Sequence, residues 1–81
     1  MNFVYLLKSD LGYTYIGQTK NLNDRLKRHN SNRNTSTKYK GKWELTFYKE
    51  VRTRTEAIKL EGKLKRMKNF DKALEYITSL V

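Results

Sequence analysis

The absence of cysteine is the sequence feature that most limits how this chain can fold. None of its 81 residues is a cysteine, so neither a disulfide framework nor a thiolate zinc site can stabilise it, and the lone His29 cannot form a histidine cluster. A chain of this length buries only about 60% of the surface that it exposes when unfolded. We therefore expect a single domain over residues 1–81 that depends on one modest core.

Lysine and arginine outnumber the acidic residues by 18 to 8, which leaves a net charge of +10. Such an excess on a small surface favours a polyanionic partner, with nucleic acid the first candidate. Two alternatives remain open, because a lysine-rich surface can serve solubility and a basic amphipathic helix can bind a membrane surface. The sequence has no apolar run of about 18 residues, so it predicts a cytoplasmic protein without a membrane span.

The first part of the chain predicts a β-hairpin. Two β-rich segments, Phe3–Lys8 and Tyr13–Gln18, flank the turn residues Asp10-Leu11-Gly12. A three-residue hairpin loop needs a residue with positive φ at its end, and Gly12 can adopt that conformation.

The same turn predicts the register of the hairpin. If Ser9 faces Tyr13, then Leu7 faces Tyr15 and Tyr5 faces Gly17. Tyr5 and Tyr15 then share one face as diagonal neighbours, and Gly17 leaves room for a close approach beside the Tyr5 ring. Tyrosine is also common in strands without any ligand, so the pair alone does not establish a site.

The remaining pattern predicts three helices and a third strand. Asn21 can cap the first helix, and Thr53-Arg54-Thr55-Glu56 has the form of a capping box for the second. The expected elements are a helix over Leu22–His29, a loop over 30–42, a strand over Trp43–Val51, and helices over Arg54–Lys68 and Asp71–Ser79. This order indicates an α+β fold in which helices cover a small antiparallel sheet.

Two predicted elements have an apolar pattern that indicates their buried side. Alternation in the third strand puts Trp43, Leu45 and Phe47 on one buried face. The terminal helix offers a buried edge, formed by Ala73, Ile77 and Leu80.

Two groups with chemical potential border the apolar side of the first helix. Arg25 and His29 fall on the same side as Leu22 and Leu26 at helical spacing. A guanidinium can bind a phosphate in a bidentate manner, and an imidazole one turn away can exchange a proton near neutral pH. Alternatively, the arginine stem packs along the core, and the histidine interacts with the negative end of the helix dipole.

Glu61 is an unexpected carboxylate within the apolar stripe of the second helix. It lies one turn from both Ala57 and Leu64, where an unpaired charge would be costly. Its partner can be a cation such as Arg25 or Lys65, or a metal ion. Mg²⁺ fits a single carboxylate, because it completes its coordination shell with water and phosphate oxygens.

The ordered set of these residues resembles the GIY-YIG nuclease family. The resemblance spans about residues 3–68 and is based on Val4-Tyr5-Leu6, Tyr15-Ile16-Gly17, Arg25, His29 and Glu61. The length resembles the short stand-alone bacterial members. The resemblance implies a three-stranded antiparallel sheet flanked by helices, catalytic roles for Tyr5, Tyr15, Arg25 and His29, and a metal-binding role for Glu61.

The resemblance further implies metal-dependent hydrolysis of phosphodiester bonds in DNA, with one Mg²⁺ or Mn²⁺ ion. It is consistent with a structure-selective enzyme of DNA repair or recombination, and RNA remains open as a substrate. Two alternatives differ from an independent enzyme: an inactive nucleic-acid-binding module, and a nuclease subunit that needs a protein partner for activity or specificity.

Basic side chains outside the motif are expected to contact phosphates without reading the base sequence. These candidate binding residues are Lys20, Arg28, Arg33, Lys38, Lys40, Lys42, Lys65 and Lys68.

Overall fold

The structure is a computed structural model that describes residues 1–31 and 39–80. It confirms the α+β prediction. Its elements in chain order are β1 (Asn2–Ser9), β2 (Thr14–Thr19), α1 (Leu22–Asn30), β3 (Trp43–Val51), α2 (Arg54–Arg66) and α3 (Phe70–Ser79). The three strands form one antiparallel sheet in the order β2-β1-β3.

The hairpin has the predicted turn and register. Gly12 has a φ of +89°, and the Ser9 amide donates to the Tyr13 carbonyl oxygen over 2.8 Å. Tyr5 pairs with Gly17, and the next pair on the same face joins Leu7 to Tyr15. A loop closed by a positive-φ glycine therefore places both tyrosines on one face of the sheet.

The sheet separates two clusters of buried residues. On one face, α2 and α3 pack over an aliphatic core that consists of Val4, Leu6, Ala57, Leu64, Ala73 and Ile77. On the other face, the smaller cluster of Tyr5, Leu7 and Trp43 packs with Tyr15 and two leucines of α1. Because β1 is central and its side chains alternate, it contributes to both clusters.

The predicted single buried face of β3 is wrong, because a β-bulge changes the side on which its residues point. Leu6 pairs with Phe47, whereas the next residue, Leu7, pairs with Leu45. The extra residue in β3 places Phe47 against the aliphatic core and leaves Trp43 in the smaller cluster on the other face. Leu45 is 38% exposed.

The helix ends differ slightly from prediction. α1 includes Asn30, which the sequence assigned to the loop, and α2 stops at Arg66 with Lys68 at a φ of 55°. The third helix begins at Phe70 because the Asn69 side chain accepts a hydrogen bond from the Lys72 amide.

The predicted caps are present at the other two helix starts. Asn21 accepts from the Asp24 amide and Thr53 from the Glu56 amide. Leu80 does not join the buried edge of α3, since it lies beyond the last helical residue and is 41% exposed. No helix within residues 1–31 and 39–80 has the length and apolar character needed to cross a membrane.

Candidate active site

Four aromatic rings converge where α1 crosses the sheet. The ring centroid of His29 lies 4.7 Å from Tyr15, 5.9 Å from Tyr5 and 6.3 Å from Trp43. The two tyrosine rings are 6.1 Å apart. We call Tyr5, Tyr15, His29 and Trp43 the aromatic cluster.

Gly17 makes the close approach of the two tyrosines possible. A Cβ atom at this position would lie 2.6 Å from the Tyr5 hydroxyl oxygen and 2.9 Å from a ring carbon of Tyr15. Any other residue would therefore force the rings to move. This confirms the expectation that Gly17 leaves room beside the Tyr5 ring.

The Tyr5 hydroxyl joins two groups of α1. Its oxygen lies 3.1 Å from Nε2 of His29, and the Arg25 guanidinium lies close enough to favour the ionised form of the same phenol. A guanidinium can only donate, so the phenol is the acceptor towards Arg25, whereas the tautomer of His29 sets the direction of the bond between the phenol and Nε2. Arg25 and His29, one helical turn apart, thus meet the same hydroxyl from β1.

Burial favours the neutral forms of both the Tyr5 phenol and the His29 imidazole. Burial, with a smaller contribution from the Arg25 charge, lowers the pKa of His29 below its ordinary 6.5. Burial also raises the pKa of the Tyr5 phenol above its ordinary 10.0, and the neighbouring Tyr15 makes the second-largest contribution in the same direction. The Arg25 charge acts in the opposite direction, but desolvation of the Tyr5 phenol exceeds its effect.

Glu61 of α2 lies beside this site and pairs with a lysine. Its charge contributes to the raised pKa of the Tyr5 phenol, so the carboxylate is electrostatically coupled to that hydroxyl. Its Oε2 atom is 3.1 Å from Nζ of Lys65, and Lys65 in turn lies 6.0 Å from the centroid of the Tyr15 ring. The lysine pairing left open by the sequence is therefore present. The Glu61 side chain is 20% exposed.

Two residues at this site were not predicted from the sequence to lie there. Trp43 closes the far side of the aromatic cluster, 6.4 Å from the Tyr15 ring. Asn30 binds the backbone of that tryptophan twice: its amide nitrogen donates to the carbonyl oxygen over 3.0 Å, and its amide oxygen accepts from the N–H over 2.6 Å. No local pattern indicates a bond across 13 residues, so only the folded chain shows it.

Comparison with known proteins decides the family. The GIY-YIG catalytic domain matches residues 1–74. The chain belongs to the GIY-YIG family. It is also 34% identical over 65 residues to UPF0213 proteins from two strains of Staphylococcus epidermidis, a region that covers 79% of this chain and 79% of each relative. No solved structure is significantly similar to it.

Membership in the GIY-YIG family makes this a nuclease-type domain for phosphodiester hydrolysis, a reaction for which these nucleases typically use a divalent metal ion. Among the described residues, no group of three or more His, Cys, Asp or Glu side chains can hold a metal ion. The site therefore does not fit zinc, which takes several nitrogen or sulfur ligands. A single carboxylate such as that of Glu61 is a ligand that Mg²⁺ or Mn²⁺ accepts when water and phosphate supply the others.

The candidate binding residues of this GIY-YIG domain lie in different places. Lys20 and Lys42 are exposed, and Arg28 lies 3.4 Å from Asp24 on the outer side of α1. Lys65 and Lys68 line a cleft of about 350 Å³ beside Tyr15.

The other three predicted binding residues belong to the segment before β3. Lys40 lies 5.5 Å from the centroid of the Tyr13 ring. Arg33 and Lys38 fall outside the described residues.

Proposed function

We propose that this protein is an endonuclease that hydrolyses phosphodiester bonds in DNA with one Mg²⁺ or Mn²⁺ ion. The observation that best supports the proposal is the meeting of Arg25, Tyr5 and His29 at one hydroxyl, beside the partly buried Glu61. A guanidinium, a phenol, an imidazole and a carboxylate supply the charges and proton acceptors that phosphodiester hydrolysis requires.

Glu61 would hold the metal ion. When bound, the ion stabilises the negative charge that develops on the phosphate and on the leaving 3′ oxygen. The pairing of Glu61 with Lys65 keeps the carboxylate neutralised in the absence of substrate. On binding, Lys65 is then available to a phosphate oxygen.

Tyr5 and His29 move the proton of the attacking water. Because the pKa of Tyr5 is raised, a free phenolate is not a suitable base near neutral pH. The Tyr5 oxygen instead accepts the water proton as its own proton passes to Nε2 of the neutral His29. His29 is suited to this relay because burial keeps it unprotonated. We assign Tyr15 the role of orienting the water.

Arg25 stabilises the transition state. Its guanidinium lies close enough to the Tyr5 phenol to act on its ionisation, and we assign it contact with a phosphate held at that hydroxyl. Planar donors match the oxygens of a phosphate, whose charge rises as the water attacks.

The exposed lysines and arginines bind the nucleic-acid backbone. With a net charge of +10 and contacts of this kind, affinity falls steeply with salt, and base sequence has little influence. Such an enzyme suits a structure-selective cut in DNA repair or recombination, in the cytoplasm, with any sequence preference supplied by a protein partner.

The decisive experiment compares wild-type protein with Glu61→Gln on linear, nicked, flapped and branched DNA and on RNA, with Mg²⁺, Mn²⁺ or EDTA. We expect cleavage by the variant to fall at least about 100-fold. Glu56→Gln is the matched control, since this glutamate is exposed in the first turn of the same helix. Undiminished metal-dependent cleavage by Glu61→Gln contradicts the proposal.

A nucleic-acid-binding module without cleavage is the second candidate. The 3.1 Å pairing of Glu61 with Lys65 favours it, because a metal ion would have to displace the lysine from this carboxylate. Salt-sensitive DNA binding without products, in the wild type and in Lys65→Ala, supports this module. Cutting that appears only in cell extract indicates a subunit that needs a partner.

A further inference from the structure

A second surface with nucleic-acid chemistry lies at the turn of the hairpin. Tyr13 is 49% exposed, Leu11 is 66% exposed and Tyr39 is 78% exposed. The ammonium of Lys40 lies over the Tyr13 ring at 5.5 Å, and Lys42 is exposed beside it in the chain. We call Leu11, Tyr13, Tyr39, Lys40 and Lys42 the hairpin-end patch.

Two hydrogen bonds between Asp10 and Lys42 hold this patch together. The Asp10 amide donates to the Lys42 carbonyl oxygen over 3.0 Å, and the Lys42 amide donates to the Asp10 carboxylate over 2.9 Å. The hairpin turn and the segment before β3 therefore form one surface. Tyr39 adopts a φ of 62°, a conformation that is costly for a bulky side chain and that is more common at functional sites.

The hairpin-end patch lies on the same side of the sheet as the aromatic cluster. Tyr13 faces Ser9, which pairs with Trp43 on the other side of β1. Tyr13 lies one residue before β2, and its hydrogen bond with Ser9 continues the ladder, so its Cα is roughly 7 Å from that of Tyr15 and strand alternation puts the two side chains on the same side. A nucleic-acid strand at the aromatic cluster can therefore continue over the patch.

We propose that the hairpin-end patch binds an unpaired base beside the cleaved phosphate, with the base stacked on Tyr13 and its phosphate held by Lys40 and Lys42. An exposed aromatic ring next to cations is the combination that binds single strands without sequence preference. A duplex cannot bind in this way, because its base faces are already stacked. The inference rests on the proposed function and specifies its substrate: a strand with unpaired nucleotides next to the cut.

The test measures binding rather than cleavage. Fluorescence anisotropy in EDTA records the affinity for a short fluorescein-labelled oligothymidylate and for a duplex of equal length. Tyr13→Ala should weaken single-strand binding about fivefold or more and change duplex binding little, whereas Tyr13→Trp should retain it. Lys40→Ala should weaken binding to both probes and reduce the salt dependence.

Tyr76→Ala is the matched control, because Lys63 lies 4.7 Å from its ring centroid but Tyr76 belongs to α3, on the opposite face of the sheet. The patch is not a stacking site if Tyr13→Ala binds the single strand as tightly as wild type, or if its affinity for both probes falls by the same factor. Either result leaves the proposed nuclease function unaffected. If wild-type protein binds neither probe at low salt, the proposed nucleic-acid substrate fails as well.

Discussion

The two faces of the sheet differ in chemistry. Beneath α2 and α3, the described core is aliphatic, and its residues Val4, Leu6 and Ile77 are fully buried. Beneath α1, Tyr5 and His29 are equally buried, yet each has a polar group in a hydrogen bond. One face of the sheet therefore supplies most of the apolar core, and the other face holds the buried polar groups to which we assign the reaction chemistry.

The largest effect should come from the aliphatic face. Ile77→Ala removes a fully buried side chain and should lower the free energy of unfolding by about 2–5 kcal/mol, measured by urea denaturation. Cleavage per folded molecule should stay close to wild type. Leu80→Ala is the control, since Leu80 is 41% exposed and should change stability by less than about 0.5 kcal/mol. A specific loss of cleavage in folded Ile77→Ala would break the division between the faces.

The opposite result is expected on the aromatic face. Tyr5→Phe removes the hydroxyl that Arg25 and His29 both approach, so cleavage should fall about 100-fold or more. The free energy of unfolding should decrease by only about 1–2 kcal/mol. Single-turnover cleavage and urea denaturation measure the two effects. Tyr48→Phe should change neither. A folded Tyr5→Phe with wild-type cleavage would remove the proposed proton relay.

Asn30 tests whether the aromatic face depends on a precise position of α1. Its two bonds to the Trp43 backbone hold the residue after His29 against β3. Asn30→Ala should lower the free energy of unfolding by about 1–3 kcal/mol and also reduce cleavage, because His29 is less well placed. Asn23→Ala, on the exposed side of α1, is the control. A stability loss with unchanged cleavage would show that Asn30 has a structural role only.

The smallest effect is a dependence of stability on pH. Since the pKa of His29 is lowered in the folded protein, the unfolded chain binds a proton first as the pH falls. The free energy of unfolding should therefore decrease below about pH 6.5, the ordinary pKa of histidine. A folded His29→Gln variant should lack this component in urea titrations across the same range. An identical pH profile in both proteins would mean that His29 is not held neutral.

Much of the site followed from local patterns. Gly12 determined the turn, the turn determined the register, and strand alternation then placed Tyr5 and Tyr15 on one face. Helical spacing likewise placed Arg25 and His29 on one side of α1. These predictions succeeded because each depends on the geometry of a single element or a single hairpin.

Contacts between distant segments were decided by the tertiary structure. The bulge in β3 moved Phe47 to the aliphatic core, and the Asn30 bonds to Trp43 connect residues that no periodicity relates. The raised pKa of Tyr5 also needed the fold, because desolvation depends on everything that surrounds the phenol. The sequence by itself determined which groups line up along each element. Packing between elements decided how close these groups come to one another and which of them are buried away from water. It also decided which partner Glu61 has in the folded chain.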